Sequence, residues 1–439
     1  MFKVLVLILC FFISTADARI FGAQDFTLDN GLKVVVIPNH KAPVVKLMLW
    51  YKVGSVDEPL GKGGLAHLLE HLMFRGTKKV KGSSFNDIIE AHGGDSNAFT
   101  SHDFTVYHEF LDISRLEVAL ALEADRMQHL QIDDEAFETE RKIVFQERKQ
   151  RVSNNPFAGF GEILNKTLWQ NNPYARPVTG LEDEILSITK EDVISFYDTY
   201  YSPDNAVLIL SGDIDVVTAR KLVNKYFQSI PNKNNNHKEV SFNVVKNSSF
   251  KVEQKLGDIK QARYIKKYII NKTNKDFNHI LPLMLFSNYF GETDNSYLKR
   301  NYVLTGKMIS ASSSCDAFNR GQGTFAISVV SDEVSNVEEI VNKALLEALS
   351  SFGEKQLEEE KKKILSSLVY MQDDPESAAS VMGRFYTLGF PINKIEAYAE
   401  YVKGVGLEDV KKAVSDMLTS STNISAFLLP EENGDKSDE

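Results

Sequence analysis

Apolar residues recur along this chain at two spacings, and the two spacings mark out its elements. Two β-rich runs over 26–37 flank Asn30-Gly31, a dipeptide suited to a tight reversal, and together predict a hairpin. Residues 44–53 continue the strand character, which returns over 97–110 and 206–210. Helical spacing predicts helices over 64–74, 85–91, 116–130, 135–151 and 190–200. Hairpins mixed with long helices predict an α+β fold, an antiparallel-rich sheet with helices packed on one face.

The pattern then repeats. Residues 190–197 followed by 205–210 resemble 407–414 followed by 423–429, and 137–144 ending in Asn154-Asn155-Pro156 resembles 357–364 ending in Asp373-Asp374-Pro375. Both pairs keep one order and an offset of about 220 residues, which predicts two tandem homologous domains. Length agrees, because 439 residues exceed what one ordinary core organises. The polar stretch 231–240 reads as the linker, dividing a domain over 19–230 from one over 241–430. The acidic tail 431–439 lacks apolar residues and is expected to be disordered.

The first eighteen residues differ from the rest. Lys3, an apolar run from Val4 to Ile13 and the small residues around Ala16 and Ala18 form the pattern of a cleaved signal peptide. The run is half of what a membrane span needs, and no other segment approaches one. Export, to the periplasm, is therefore expected. Cys10 leaves with the signal, and Cys315 alone cannot form an internal disulfide. A net charge of −10 argues against a nucleic-acid surface.

His67-Leu-Leu-Glu70-His71 lies in a predicted helix, where residues four apart share a face and offer two ring nitrogens to one ion. Glu70 falls near that face, placed to take a proton from water without occupying a ligand position. Leu65, Leu68, Leu69 and Leu72 surround the trio, so a solvated helix is a poor description. A catalytic zinc site needs a third protein ligand from elsewhere. Several helical glutamates, Glu140 and Glu147 among them, could supply it, and spacing alone does not choose.

With this inverted motif and the 75 residues between His71 and Glu147, the chain resembles the pitrilysin (insulinase) family of zinc metallopeptidases. That resemblance implies one zinc per chain held by His67, His71 and Glu147, with Glu70 as general base and Glu140 as a supporting residue that orients a ligand. It further implies that Asn97, Ala98 and Phe99 belong to an edge strand that binds substrate by main-chain pairing. His92, His102 and His108 lack ligand spacing and are expected to be structural. The second domain has no such motif, since Ser366–Leu368 fall where Glu147 should repeat. The family's substrate-contacting Arg and Tyr, seven residues apart, are also missing. Lys299 and Gly306 stand in those places, with Arg300 and Tyr302 out of register. The expected activity is endopeptidase action on peptides or unfolded segments, with a homodimer or a related chain completing the binding surface. The alternative is a non-catalytic structural or partner subunit of the same fold.

Overall fold

The computed structural model describes residues 19–82, 84–233, 240–243, 246–257, 259–270, 276–332 and 336–431. The expected signal peptide, most of the expected linker and nearly all of the acidic tail lie outside the described residues.

Two sheets organise the chain. The first contains β1 (Gln24–Thr27), β2 (Lys33–Pro38), β3 (Val44–Tyr51), β4 (Asp95–Thr100), β5 (Thr105–Asp112) and β6 (Ala206–Gly212), in the order β1-β2-β6-β3-β5-β4. The second contains β7 (Ser249–Leu256), β8 (Ala262–Ile270), β9 (Ser310–Asp316), β10 (Gly323–Ser331) and β11 (Asn423–Pro430), in the order β7-β11-β8-β10-β9. With β1 set aside, the orders are equivalent strand for strand. In each, a parallel pair (β2 with β6, β7 with β11) sits at the same place among antiparallel neighbours. The duplication visible in the sequence is thus a duplication of topology.

The predicted hairpin forms, with Gln24 opposite Val36 and Thr27 opposite Lys33. Asn30 does more than turn the chain. It is buried, and its Nδ2 donates to Phe227 O at 2.7 Å and Ile230 O at 3.0 Å, tying the hairpin to the end of the Val216–Phe227 helix. The strand-like stretch 97–110 is not one strand but two. Ser101 Oγ accepts from Asp103 N and Phe104 N, and this side-chain-made turn separates β4 from β5 without glycine or proline.

The expectation of helices on one face is correct only for each half's own helices. Both faces of the first sheet are buried: Val34 to Val36 and every residue of β6 are inaccessible to solvent or nearly so. The second face is covered by a helix from the other half, Pro375–Thr387, packed across β3 and β6. Reciprocally, Pro156–Trp169 packs on β7 and β11. Both exchanged helices start with proline in the first turn, after Asn155 and Asp374, whose side chains cap them. The repeated Asn-Asn-Pro and Asp-Asp-Pro motifs therefore mark the helices that the halves exchange. Val35, Met48, Trp50 and Ile209 share one core with Ala378, Ala379 and Met382, so the halves are joined by burial of apolar surface.

Polar ties cross the same contact. The Lys46 ammonium, nearly inaccessible, reaches Glu376 Oε1 at 2.7 Å and His108 Nδ1 at 2.9 Å. Burial, and then the Lys46 charge, push the His108 imidazole down to about 4. Unfolded histidine titrates near pH 6.5, so between about pH 6.5 and 4 the unfolded chain binds a proton that the folded chain refuses. The stability that depends on neutral His108 is thus complete above pH 6.5 and is lost as pH falls toward 4. Urea midpoints of wild type should fall between pH 7.5 and pH 5 by more than those of His108→Asn; an equal fall in both would contradict this assignment.

Candidate metal centre

The Leu65–Leu72 helix carries the motif, and its start is unusual. Gly64 has φ +87, and a Cβ there would meet Thr179 O at 2.9 Å and Gly180 Cα at 3.3 Å, so only glycine fits. Gly64 offers no side chain to cap the helix. The buried carboxylate of Glu58 takes that role, accepting from Gly64 N at 3.1 Å and Ala66 N at 2.8 Å. Leu65, Leu68, Leu69 and Leu72 are buried in the first half's core. They turn the opposite stripe, His67 and His71, toward the Asp134–Arg148 helix, against which this helix packs.

The two imidazoles stand edge to face with centroids 4.8 Å apart. His67 Nε2 lies 3.8 Å from Glu147 Oε2, and His71 Nε2 lies 3.9 Å from Glu147 Oε1. One ligand atom from each residue falls within 4.8 Å of the others, and no other such cluster of His, Cys, Asp or Glu occurs among the described residues. Glu147 Oε2 and His67 Nδ1 are buried yet have no hydrogen-bond partner. The nearest cation to that carboxylate oxygen is the largely exposed Arg151 guanidinium, 3.4 Å away, and an ion shared with the imidazole nitrogens would satisfy the carboxylate more fully. Two imidazoles and a carboxylate are a fitting donor set for zinc.

The two imidazoles are pushed in opposite directions by their surroundings. Burial, with the neighbouring His71, pushes His67 down to about 3, so its ring is neutral at neutral pH. Burial also opposes charge on His71, but its hydrogen bond to Glu140 and the charges of Glu147 and Glu70 outweigh burial and raise it. His71 Nδ1 donates to Glu140 Oε2 at 2.9 Å, which leaves Nε2 facing Glu147. Arg75 holds the other Glu140 oxygen, and the pair with His71 and Arg75 keeps Glu140 below the usual carboxylate range despite its burial. Glu140 thus fixes the tautomer and the angle of a ligand ring. Glu140→Gln should weaken zinc binding by about 10–100-fold in a chelator competition; unchanged affinity would assign Glu140 to helix packing alone.

Glu70 points from the same helix to the end of β4, where Thr100 Oγ1 donates to its Oε2 at 2.5 Å. Burial raises the Glu70 carboxyl, and the Glu147 charge adds to it, against the Thr100 hydrogen bond. Its other oxygen is left for chemistry. β4 is the edge of the first sheet and pairs with β5 on one side only. Asn97, Ala98 and Phe99 therefore lie on an edge that ends beside Glu70. Ala98 packs against the first half's core, while Phe99 is 40 % exposed and meets Trp50 edge-on at 6.0 Å.

His92 Nδ1 bonds Ile88 O, His102 Nε2 bonds Arg176 O, and His108 bonds Lys46; none joins the cluster. Lys299 pairs with Asp294, Arg300 is exposed, and Tyr302 is buried with its hydroxyl on Glu347. In the second half, the helix after β8, the counterpart of β3, is Phe277–Ser287, where Ile280, Leu281, Leu283 and Leu285 are buried and no ligand pair occurs. Three contributors to the site escaped the sequence reading. Arg75 lies just past the end of the Leu65–Leu72 helix, four residues after His71, and only that short separation could have flagged it. Thr100 lies inside the predicted strand 97–110 and becomes a strand end only in the structure, and Glu58 carries no local signal.

Sequence models of two families match the chain, "Insulinase (Peptidase family M16)" over residues 33–181 and "Peptidase M16 inactive domain" over residues 187–364. The protein named zinc protease PqqE from Helicobacter pylori is 28 % identical over 414 residues, covering 93 % of both chains. The mitochondrial-processing peptidase subunit beta of Lentinula edodes is 25 % identical over 414 residues, covering 89 % of this chain and 86 % of that one. A crystal structure of a protease from Helicobacter pylori superposes with a TM-score of 0.87 at 24 % identity, over 93 % of this chain and 99 % of the other, and shares the fold. The two family matches lie end to end across most of the chain, which belongs to the insulinase family of peptidases, M16.

Proposed function

We propose that this chain is an exported zinc endopeptidase that hydrolyses peptides or unfolded protein segments, with the chemistry confined to its first half. The observation that carries this reading is Glu70, held by Thr100 beside three converging ligands without being one of them. His67, His71 and Glu147 would hold the ion. Zinc, when bound, supplies a Lewis acid that polarises the scissile carbonyl and acidifies water. Glu70 takes the proton of the attacking water on its free oxygen and returns it to the leaving amine. The edge of β4 receives an extended peptide by main-chain pairing, which gives affinity without strict sequence demands.

The second half supplies a surface rather than chemistry, and a second copy or a related chain completes the binding site. The same family includes subunits of assemblies: subunit 1 of the human cytochrome b-c1 complex is 28 % identical over 204 residues, 46 % of this chain. A purely structural subunit has no physical need for a base beside three ligands, which favours the peptidase. The test is hydrolysis of unstructured peptides by the purified chain, abolished by a chelator and restored by zinc. Zinc binding without hydrolysis, even with added partner, would leave the structural reading in its place.

A further inference from the structure

The connection between β9 and β10 brings Arg320 of the second half against the turn that leads into the metal-site helix. Arg320 Nη1 donates to Asp57 Oδ2 at 2.7 Å, and the Asp57 side chain is only 2 % exposed. The same oxygen accepts from Gly54 N at 2.9 Å, which closes the Ser55–Asp57 turn. The next residue is Glu58, whose carboxylate caps the helix bearing His67, Glu70 and His71. Arg320 makes a second connection through its backbone. Its N donates to Asp103 Oδ2 at 3.0 Å, and Tyr174 Oη, which donates to Asp103 Oδ1, accepts from Gly321 N at 2.8 Å.

These contacts meet the site from two directions. Ser55 N and Val56 N donate to Ser101 O and His102 O, the residues just after Thr100, so the turn and the end of the edge strand are hydrogen-bonded to each other. The approach is close: a Cβ on Gly54 would meet Ser101 O and His102 O at 2.4 Å. Arg320 therefore touches both supports of Glu70. One is the helix that carries it, through Asp57 and Glu58, and the other is the strand end whose Thr100 holds its carboxylate.

We infer that Arg320, from the half that carries no chemistry, is a positioning residue for the metal centre, so that the seating of the second half on the first sets the geometry of His67, Glu70 and His71. This deepens the peptidase reading and rests on it for its kinetic consequence. A salt bridge at a flexible surface would not serve, since exposed pairs contribute little. Asp57 is buried, and the segments it joins are packed and hydrogen-bonded at both ends, so a lost guanidinium is felt as a displacement rather than absorbed.

The test uses the full chain loaded with zinc for kinetics and with cobalt(II) for its d–d spectrum. Arg320→Ala should lower kcat by about 100-fold, the effect of a misplacement of about 1 Å at a reacting centre. KM should change little, and the cobalt bands should shift in energy or intensity. Arg320→Lys, which keeps a cation opposite Asp57, should recover most of both. Lys41→Ala breaks another ion pair between the halves, an exposed one with Asp373, and should leave rate and spectrum unchanged. A wild-type cobalt spectrum in folded Arg320→Ala would overturn the inference. So would a loss of activity that only tracks the folded fraction and that lysine does not repair. If wild type binds cobalt but cleaves no peptide, the peptidase reading fails while the spectra still decide the role of Arg320.

Discussion

Glu70→Gln is expected to bind zinc as tightly as wild type and to lower kcat by about 10²–10⁴-fold, the range for loss of a positioned general base. The expectation comes from the division of labour in one helical turn. His67 and His71 face Glu147 with their Nε2 atoms, whereas Glu70 is turned aside to Thr100. Glutamine is nearly the same size and can still accept the Thr100 hydrogen bond through its carbonyl oxygen. It cannot take a proton from water. Metal content and peptide cleavage, measured on the same preparation, separate the roles: a variant that loses zinc would make Glu70 a ligand, and one that keeps wild-type turnover would remove it from the chemistry.

Arg126→Leu should be the most destabilising single change in the first half, costing about 3–5 kcal/mol, the penalty for breaking a buried charge cluster from one side. Arg126 is wholly buried, with Nε 2.8 Å from Glu123 Oε2 and Nη2 3.4 Å from Glu109 Oε1. Its guanidinium lies 4.1 Å from the centre of the Phe85 ring and 4.2 Å from that of Tyr107. Leucine would leave the Glu109 and Glu123 carboxyl groups in an apolar core without their guanidinium partner. Burial, and then the Glu123 charge, already push the Glu109 carboxyl well up. Replacing Glu109, Glu123 and Arg126 together by leucine or methionine should recover most of the loss, because the cost lies in the unpaired charges. Urea unfolding of the single and triple variants reads both. A loss below about 1 kcal/mol in Arg126→Leu would show that the cluster is solvated in solution.

Much of the molecule was legible before its structure, for reasons that differ from element to element. The metal-site helix announced itself because ligand spacing and core spacing share the period of 3.6 residues, so His67 and His71 had to fall opposite the leucines. Glu147 was different. Only its distance from His71, compared with a known family, selected it among the helical glutamates. The duplication was legible because Asn-Asn-Pro and Asp-Asp-Pro are capping signals, which survive when the rest of a helix drifts. What those signals start was not legible. Periodicity shows that a helix has an apolar face but not whose sheet that face covers, and both helices cross to the other half. The turn at Ser101–Phe104 was hidden because a serine side chain makes it in place of glycine or proline. Glu58, Asp57 and Arg320 were hidden most deeply. Each is a charged residue in an irregular segment, and its role exists only once segments distant in sequence are brought together.

Metal analysis of the purified chain decides whether His67, His71 and Glu147 hold an ion. One zinc per chain is expected in wild type and in Glu70→Gln, and its loss in His67→Ala, His71→Ala and Glu147→Gln with the fold retained by circular dichroism. Wild-type chain that takes up no zinc when dialysed against it, or a Glu147→Gln chain that holds zinc as tightly as wild type, would contradict the site built here from His67, His71 and Glu147.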